Sequence, residues 1–136
     1  MDKIYAWSLV LSALVLLSSI GPLTYGRYKA GYSLKNMSAP RAMFDKLPDF
    51  GKRAVWCHQN CWESFALHAP SCILCLVAGV DSSLGYFAAL IHPLIRVVYI
   101  ISYVTNVPIA RGLSWASGLL CSIILYKQGL DMIINY

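Results

Sequence analysis

Charge is absent from long stretches of this chain, and that spacing organises everything else. Residues 4–26, 64–80, 82–95, 97–110 and 112–126 contain no Asp, Glu, Lys or Arg. A helix needs roughly 20 mostly apolar residues to cross the hydrocarbon core of a bilayer. The first stretch meets that length alone. The others meet it when each helix also carries a charge near an end or facing inward. The pattern predicts four spans, at about 4–26, 53–79, 84–105 and 109–133. Backbone groups have no water to bond inside a bilayer, so an all-α four-helix transmembrane bundle is the expected fold class. The chain over 1–136 reads as one membrane domain with no internal repeat. The first span is too long for the apolar core of a signal peptide, Asp2 weakens its positive flank, and no clear small-x-small cleavage site follows.

Composition agrees with this reading. The chain is 58% hydrophobic and 12% charged, against about 25% charged in an average soluble domain. Seven of the eleven Lys and Arg residues fall in one segment, as Arg27, Lys29, Lys35, Arg41, Lys46, Lys52 and Arg53, against only Asp45 and Asp49. A short loop this basic is retained on the cytoplasmic side, which puts both termini of a four-span chain on the opposite side. The net charge of +5 is therefore assigned to a loop facing anionic lipid headgroups and not to nucleic-acid binding. Cys57, Cys61, Cys72, Cys75 and Cys121 all fall inside predicted spans, and a lone C-x-x-C (Cys72–Cys75) without a second pair reads as packing, with no metal or redox role.

Polar residues inside the spans are few and grouped. Residues three or four apart share a helix face. Arg53, Trp56, Asn60 and Glu63 follow that spacing in span two, as do Arg96, Tyr99 and Tyr103 in span three, and Arg111 opens span four. Arg53 and Arg111 either snorkel to the headgroups or face inward. Glu63 and Arg96 each lie about two or more turns from the basic-loop end, so neither reaches water easily, and an ionisable group in a bilayer costs roughly 2.5–3.5 kcal/mol unless it meets a partner or a cavity. A Glu63–Arg96 pair is expected to lower that cost, either as a purely structural contact or as part of a site. Cations, one carboxylate, an amide and phenols together suit a zwitterionic peptide, with arginines holding its carboxylates and Glu63 its ammonium. His58, His68 and His92 lack metal-ligand spacing and read as hydrogen-bonded structural residues.

The motifs RAVWCHQNCWES (Arg53, Asn60, Glu63) and RVVYIISYVTNVPIAR (Arg96, Tyr99, Tyr103, Arg111) resemble those of the membrane-associated proteins in eicosanoid and glutathione metabolism, the MAPEG family, and the overall look is closest to its small bacterial, microsomal glutathione transferase-like members. The resemblance implies a homotrimer with glutathione as cosubstrate, bound in clefts between subunits near the cytoplasmic side. It implies Asn60, Glu63, Tyr99, Tyr103 and Arg111 as glutathione-binding residues, Arg111 as the catalytic arginine, and Arg53 and Arg96 as supports. The implied activity is a glutathione transferase or peroxidase acting on lipophilic electrophiles or lipid hydroperoxides drawn from the bilayer. The alternative is a non-catalytic protein that binds and presents lipid. Certain members carry a further arginine one or four positions before the Asn, where this chain has Gln59 and Trp56. Arg27 or Lys29 is the expected substitute in the carboxylate clamp. Gly112 after Arg111 argues against a prostaglandin-type isomerase, which has Ser there.

Overall fold

A computed structural model describes residues 3–135. The described residues form helices joined by turns, with no strand: α1 (Lys3–Ser18), α2 (Ile20–Lys29), two short 3₁₀ segments (Leu34–Asn36 and Pro40–Lys46), α3 (Asp49–Ala78), α4 (Ser83–Val104) and α5 (Pro108–Ile134). Four helical rods of 27, 30, 22 and 27 residues are long and apolar enough to cross a membrane, the first being α1 and α2 taken together. At 1.5 Å per residue they measure about 33–45 Å, against about 30 Å of hydrocarbon.

The first rod breaks at Ser19. Pro22 is the cause: its ring excludes the carbonyl of Ser18, four residues earlier, and it brings no N–H. At the break Ser19 donates its hydroxyl to the Leu16 carbonyl at 2.6 Å, and its Oγ also lies 2.7 Å from His58 Nδ1 on α3. Pro93 likewise brings no N–H inside α4, which stays continuous. It leaves the Ala89 carbonyl without its helical donor, and the Ser8 hydroxyl of α1 supplies one at 2.6 Å. Neighbouring helices commonly re-satisfy freed backbone groups in this way inside a membrane. The second rod, α3, starts at Asp49, four residues before the expected 53, because Pro48 stands in extended backbone (φ −62°, ψ 159°) just before its first turn.

The bundle is apolar outside and polar within. Val77, Phe87, Ile109 and Leu113 each leave more than 60% of their surface outward, whereas Ser8, Ser12, His68, His92 and Arg96 are buried. His68 and His92 stack with centroids 3.5 Å apart and planes 5° from parallel. Because the Ser8 proton goes to Ala89, His68 Nε2 is assigned as the N–H donor to Ser8 Oγ at 2.8 Å. His92 approaches Ser12 and Ser64 through its two ring nitrogens, at 3.3 and 3.4 Å. The five cysteines are buried and free.

Backbones meet most closely where α2 crosses α3. A Cβ on Gly26 would lie 2.8 Å from the Gly51 Cα, so only glycine fits. Both connections at the two ends of α3–α4–α5 close by the same device. At the end of α3, Gly79 takes the left-handed conformation (φ 67°) and Val80 N–H reaches back to the Cys75 carbonyl. At the end of α4, Asn106 does so (φ 61°) and Val107 N–H reaches the Ser102 carbonyl at 2.8 Å. These are Schellman closures, with Asn accepting the left-handed state at modest cost. The second closure reverses the chain in a few residues and returns Arg111 beside Tyr103.

Candidate functional site

The polar stripes of α3, α4 and α5 form one connected network. Glu63 accepts from Gln59 Nε2 at 3.3 Å and from Asn60 Nδ2 at 3.1 Å. The Asn60 carbonyl oxygen in turn accepts from Arg96 Nη2 at 3.1 Å. The Arg96 guanidinium lies over the Tyr99 ring, 3.9 Å from its centroid. Tyr99 meets Tyr103 edge-on at 5.4 Å, and Arg111 lies 4.8 Å over the Tyr103 ring. Arg53 joins from the side, with its Nε donating to the Val104 carbonyl at 3.2 Å. It thereby ties α3 to the C-terminal end of α4, where exposed carbonyls favour a cation.

The expected direct Glu63–Arg96 ion pair is not formed. Among the described residues the one ion pair within 4 Å joins Lys127 to Asp131. Glu63 points outward and is exposed, while Arg96 is only 4% exposed. The Asn60 amide spans the gap, with its oxygen toward the cation and its nitrogen toward the carboxylate. An amide can do this because it carries an acceptor oxygen and a donor nitrogen on one group.

Burial divides these residues into two groups. Arg96 and Tyr99 (3% exposed) are sealed inside the protomer. Arg53, Asn60, Tyr103 and Arg111 are half-buried and Glu63 is open, so their polar ends reach the outer surface of the bundle. Arg96 also donates to Cys61 Sγ at 3.5 Å, and its Nε has no partner within the chain. A buried guanidinium held by an amide, a thiol and a ring, with no carboxylate, keeps its positive charge close beneath the exposed groups.

A cleft of about 120 Å³ opens between α3 and α5 beside Asn60 and Glu63, and Leu67, Trp115 and Leu119 continue it toward the hydrocarbon. Sequence reasoning passed over these apolar neighbours. Leu67 lies seven residues after Asn60 and Trp115 four after Arg111, both on the same helix face as the polar residue, so the spacing carried the signal. Trp56 and Gln59 have other roles. Gln59 supports Glu63, and Trp56 packs on Phe44 at 5.6 Å. Arg27 lines a separate, larger groove with Arg41 and Trp56.

Comparison with curated proteins and with solved structures returned no match. The MAPEG family model matches residues 4–130, which reaches into all four rods and takes in every residue of the network. A multi-pass bundle of four apolar rods, with that match running along nearly its whole length, belongs to the MAPEG family.

Proposed function

We propose that this protein is a membrane-embedded, glutathione-dependent transferase or peroxidase acting on lipophilic electrophiles or lipid hydroperoxides, nearest in kind to the small bacterial microsomal glutathione transferase-like members. The observation that carries the reading is the unbroken line Glu63–Asn60–Arg96–Tyr99–Tyr103–Arg111 across three helices. It supplies a carboxylate for an ammonium group and arginines for carboxylates, beside an apolar cleft. In this reading Asn60, Glu63, Tyr103 and Arg111 bind glutathione, and Arg53, Arg96 and the buried Tyr99, which the resemblance had placed among the binding residues, hold them in place.

Arg111 is the catalytic residue of the proposal. A positive charge within ~4–6 Å lowers a neighbouring acid's pKa by 1–3 units, so the cysteinyl thiol of glutathione would lose its proton near neutral pH. The thiolate then forms a carbon–sulfur bond with an electrophile as the leaving group departs with its electron pair. The acceptor arrives along Leu67 and Trp115, and holding both reactants together supplies much of the rate. The cleft of about 120 Å³ is smaller than the ~300–1,000 Å³ of ordinary ligand sites. One chain therefore forms one wall, which supports a homotrimer with glutathione between subunits. The excess of Lys and Arg in 27–53 supports a cytoplasmic loop with both termini opposite.

Arg111→Ala separates chemistry from binding. Conjugation of a chlorinated aromatic acceptor should slow by about 10- to 1,000-fold, following the 1–3 unit change in thiol pKa. Glutathione affinity by calorimetry should change far less. Loss of the cation raises the thiol pKa, so the rate profile of the variant should rise at higher pH than that of the native protein. Unchanged conjugation removes Arg111 from the mechanism. A second reading, a non-catalytic lipid-presenting protein of the same fold, is favoured by Trp56 and Gln59 standing where some enzymes of the family have arginine. Glutathione binding without turnover of any acceptor would select it.

A further inference from the structure

Between α1, α3 and α4 lies a cavity of about 10 Å³, room for one molecule about the size of water. Its polar lining is Ser12, Cys61, Ser64, His92 and Arg96. Cys61 and Arg96 are each 4% exposed, and they touch: Arg96 Nη2 donates to Cys61 Sγ at 3.5 Å. The Nε of the same guanidinium is buried and has no partner within the chain. A nucleophilic sulfur, a fixed positive charge and a spare N–H donor therefore surround one small volume.

The sequence pattern assigns all five cysteines to packing, and two of them behave so. Cys75 donates to the Leu125 carbonyl at 3.1 Å, and Cys72 lies on Ser8 and His68. Cys61 differs because its neighbour is a cation, and thiols beside Arg are the reactive ones. The cavity also has a way in. Ser64 is half-buried and lines both this cavity and the cleft at Glu63. A solute that passes the Ser64 hydroxyl reaches the sulfur, but a glutathione or a lipid hydroperoxide is far too large for the space. We propose that Cys61 is a modification site for hydrogen peroxide, which enters from the cleft past Ser64 and oxidises the thiol to a sulfenic acid. The sulfur attacks one peroxide oxygen, and the S–O bond forms as the O–O bond breaks. Sulfur gives up two electrons and the peroxide gains them. The departing oxygen takes the thiol proton and leaves as water. Arg96 Nε is the free donor for that oxygen while negative charge builds on it, and a preorganised donor acts most strongly at such a point. A water molecule in the same cavity would satisfy the Nε and leave the sulfur unchanged.

The full-length protein in nanodiscs, with no glutathione present, is treated with hydrogen peroxide and dimedone, and peptide mass spectrometry locates the adducts. Cys61 should be labelled about 100-fold faster than Cys72 and Cys75, the usual worth of one such donor. A Cys57–Cys61 disulfide counts as the same event, since a sulfenic acid condenses with a neighbouring thiol and Cys57 shares a hydrogen bond with Cys61. Cumene hydroperoxide, too bulky for the cavity, should leave Cys61 unlabelled. Arg96→Gln should bring Cys61 down to the rate of Cys72, and Arg96→Lys should keep part of the advantage. Helical circular dichroism checks that both variants are folded. Labelling of Cys61 no faster than Cys72 overturns the proposal in the native protein, with no variant needed, and leaves the cavity to water. Equal labelling by cumene hydroperoxide overturns entry through the cavity, and an undiminished rate in a folded Arg96→Gln overturns the part given to Arg96. Glutathione takes no part in the measurement, so this site stands or falls separately from the glutathione reading.

Discussion

Asn60 sits between two opposite charges that do not touch. Its oxygen takes a proton bond from Arg96 and its nitrogen gives one to Glu63. Asn60→Ala removes both bonds at once and leaves a buried guanidinium with a thiol and a ring. Leaving a buried donor unmade costs about 1–3 kcal/mol, more for a charged group, so the thermal midpoint in detergent should fall by several degrees. An unchanged midpoint would show that Arg96 finds another partner. At this scale the sequence was informative about residue and face but not about pairing. Three-residue spacing put Asn60 and Glu63 on one stripe and made a Glu63–Arg96 contact the natural expectation. Which side chain intervenes depends on how α3 and α4 are rotated against each other, and spacing within either helix does not contain that angle. The His68–His92 stack is missing from the sequence reading for the same reason, since its partners lie on separate helices.

Helices were legible wherever charge was scarce, because lipid enforces the pattern. Their ends were not. α3 begins at Asp49, among charged residues, since a helix leaving the bilayer is no longer governed by hydropathy. The basic segment likewise hides two 3₁₀ segments that neither periodicity nor charge announces. The break at Ser19 was foreshadowed by Pro22, whose excluded partner lies four residues back. The α2–α3 crossing is the most constrained contact between elements, with Gly26 and Gly51 back to back. Gly26→Ala should push the helices apart and cost about 1–3 kcal/mol, the usual penalty for overpacking. Gly21, in the same helix, has nothing within 4 Å of its added Cβ. Gly21→Ala should therefore be neutral or stabilise by up to about 1 kcal/mol. Thermal melts of the two variants side by side test whether close approach, and not helix propensity, fixes the crossing. Equal shifts would reject it.

The molecule as a whole has its polar groups inside and its apolar groups against lipid, and its proposed site lies on the outer surface of the bundle. A wall of that kind needs an opposite wall. Native mass spectrometry from nanodiscs should give a mass three times the 15.1 kDa chain, and glutathione at about 100 times its Kd should stabilise the native state by about 2.7 kcal/mol. A protein that conjugates glutathione as a monomer would contradict the shared cleft. The turn at Asn106 bears on what such a monomer would retain. It seats Arg111 on Tyr103 by a reversal closed through Val107 N–H and the Ser102 carbonyl, with Arg53 of the same chain holding the Val104 carbonyl. Dissociated subunits would lose the far side of the cleft yet carry the cation and its aromatic rest away intact, so reassembly would have to restore neighbours but not rebuild the reactive corner.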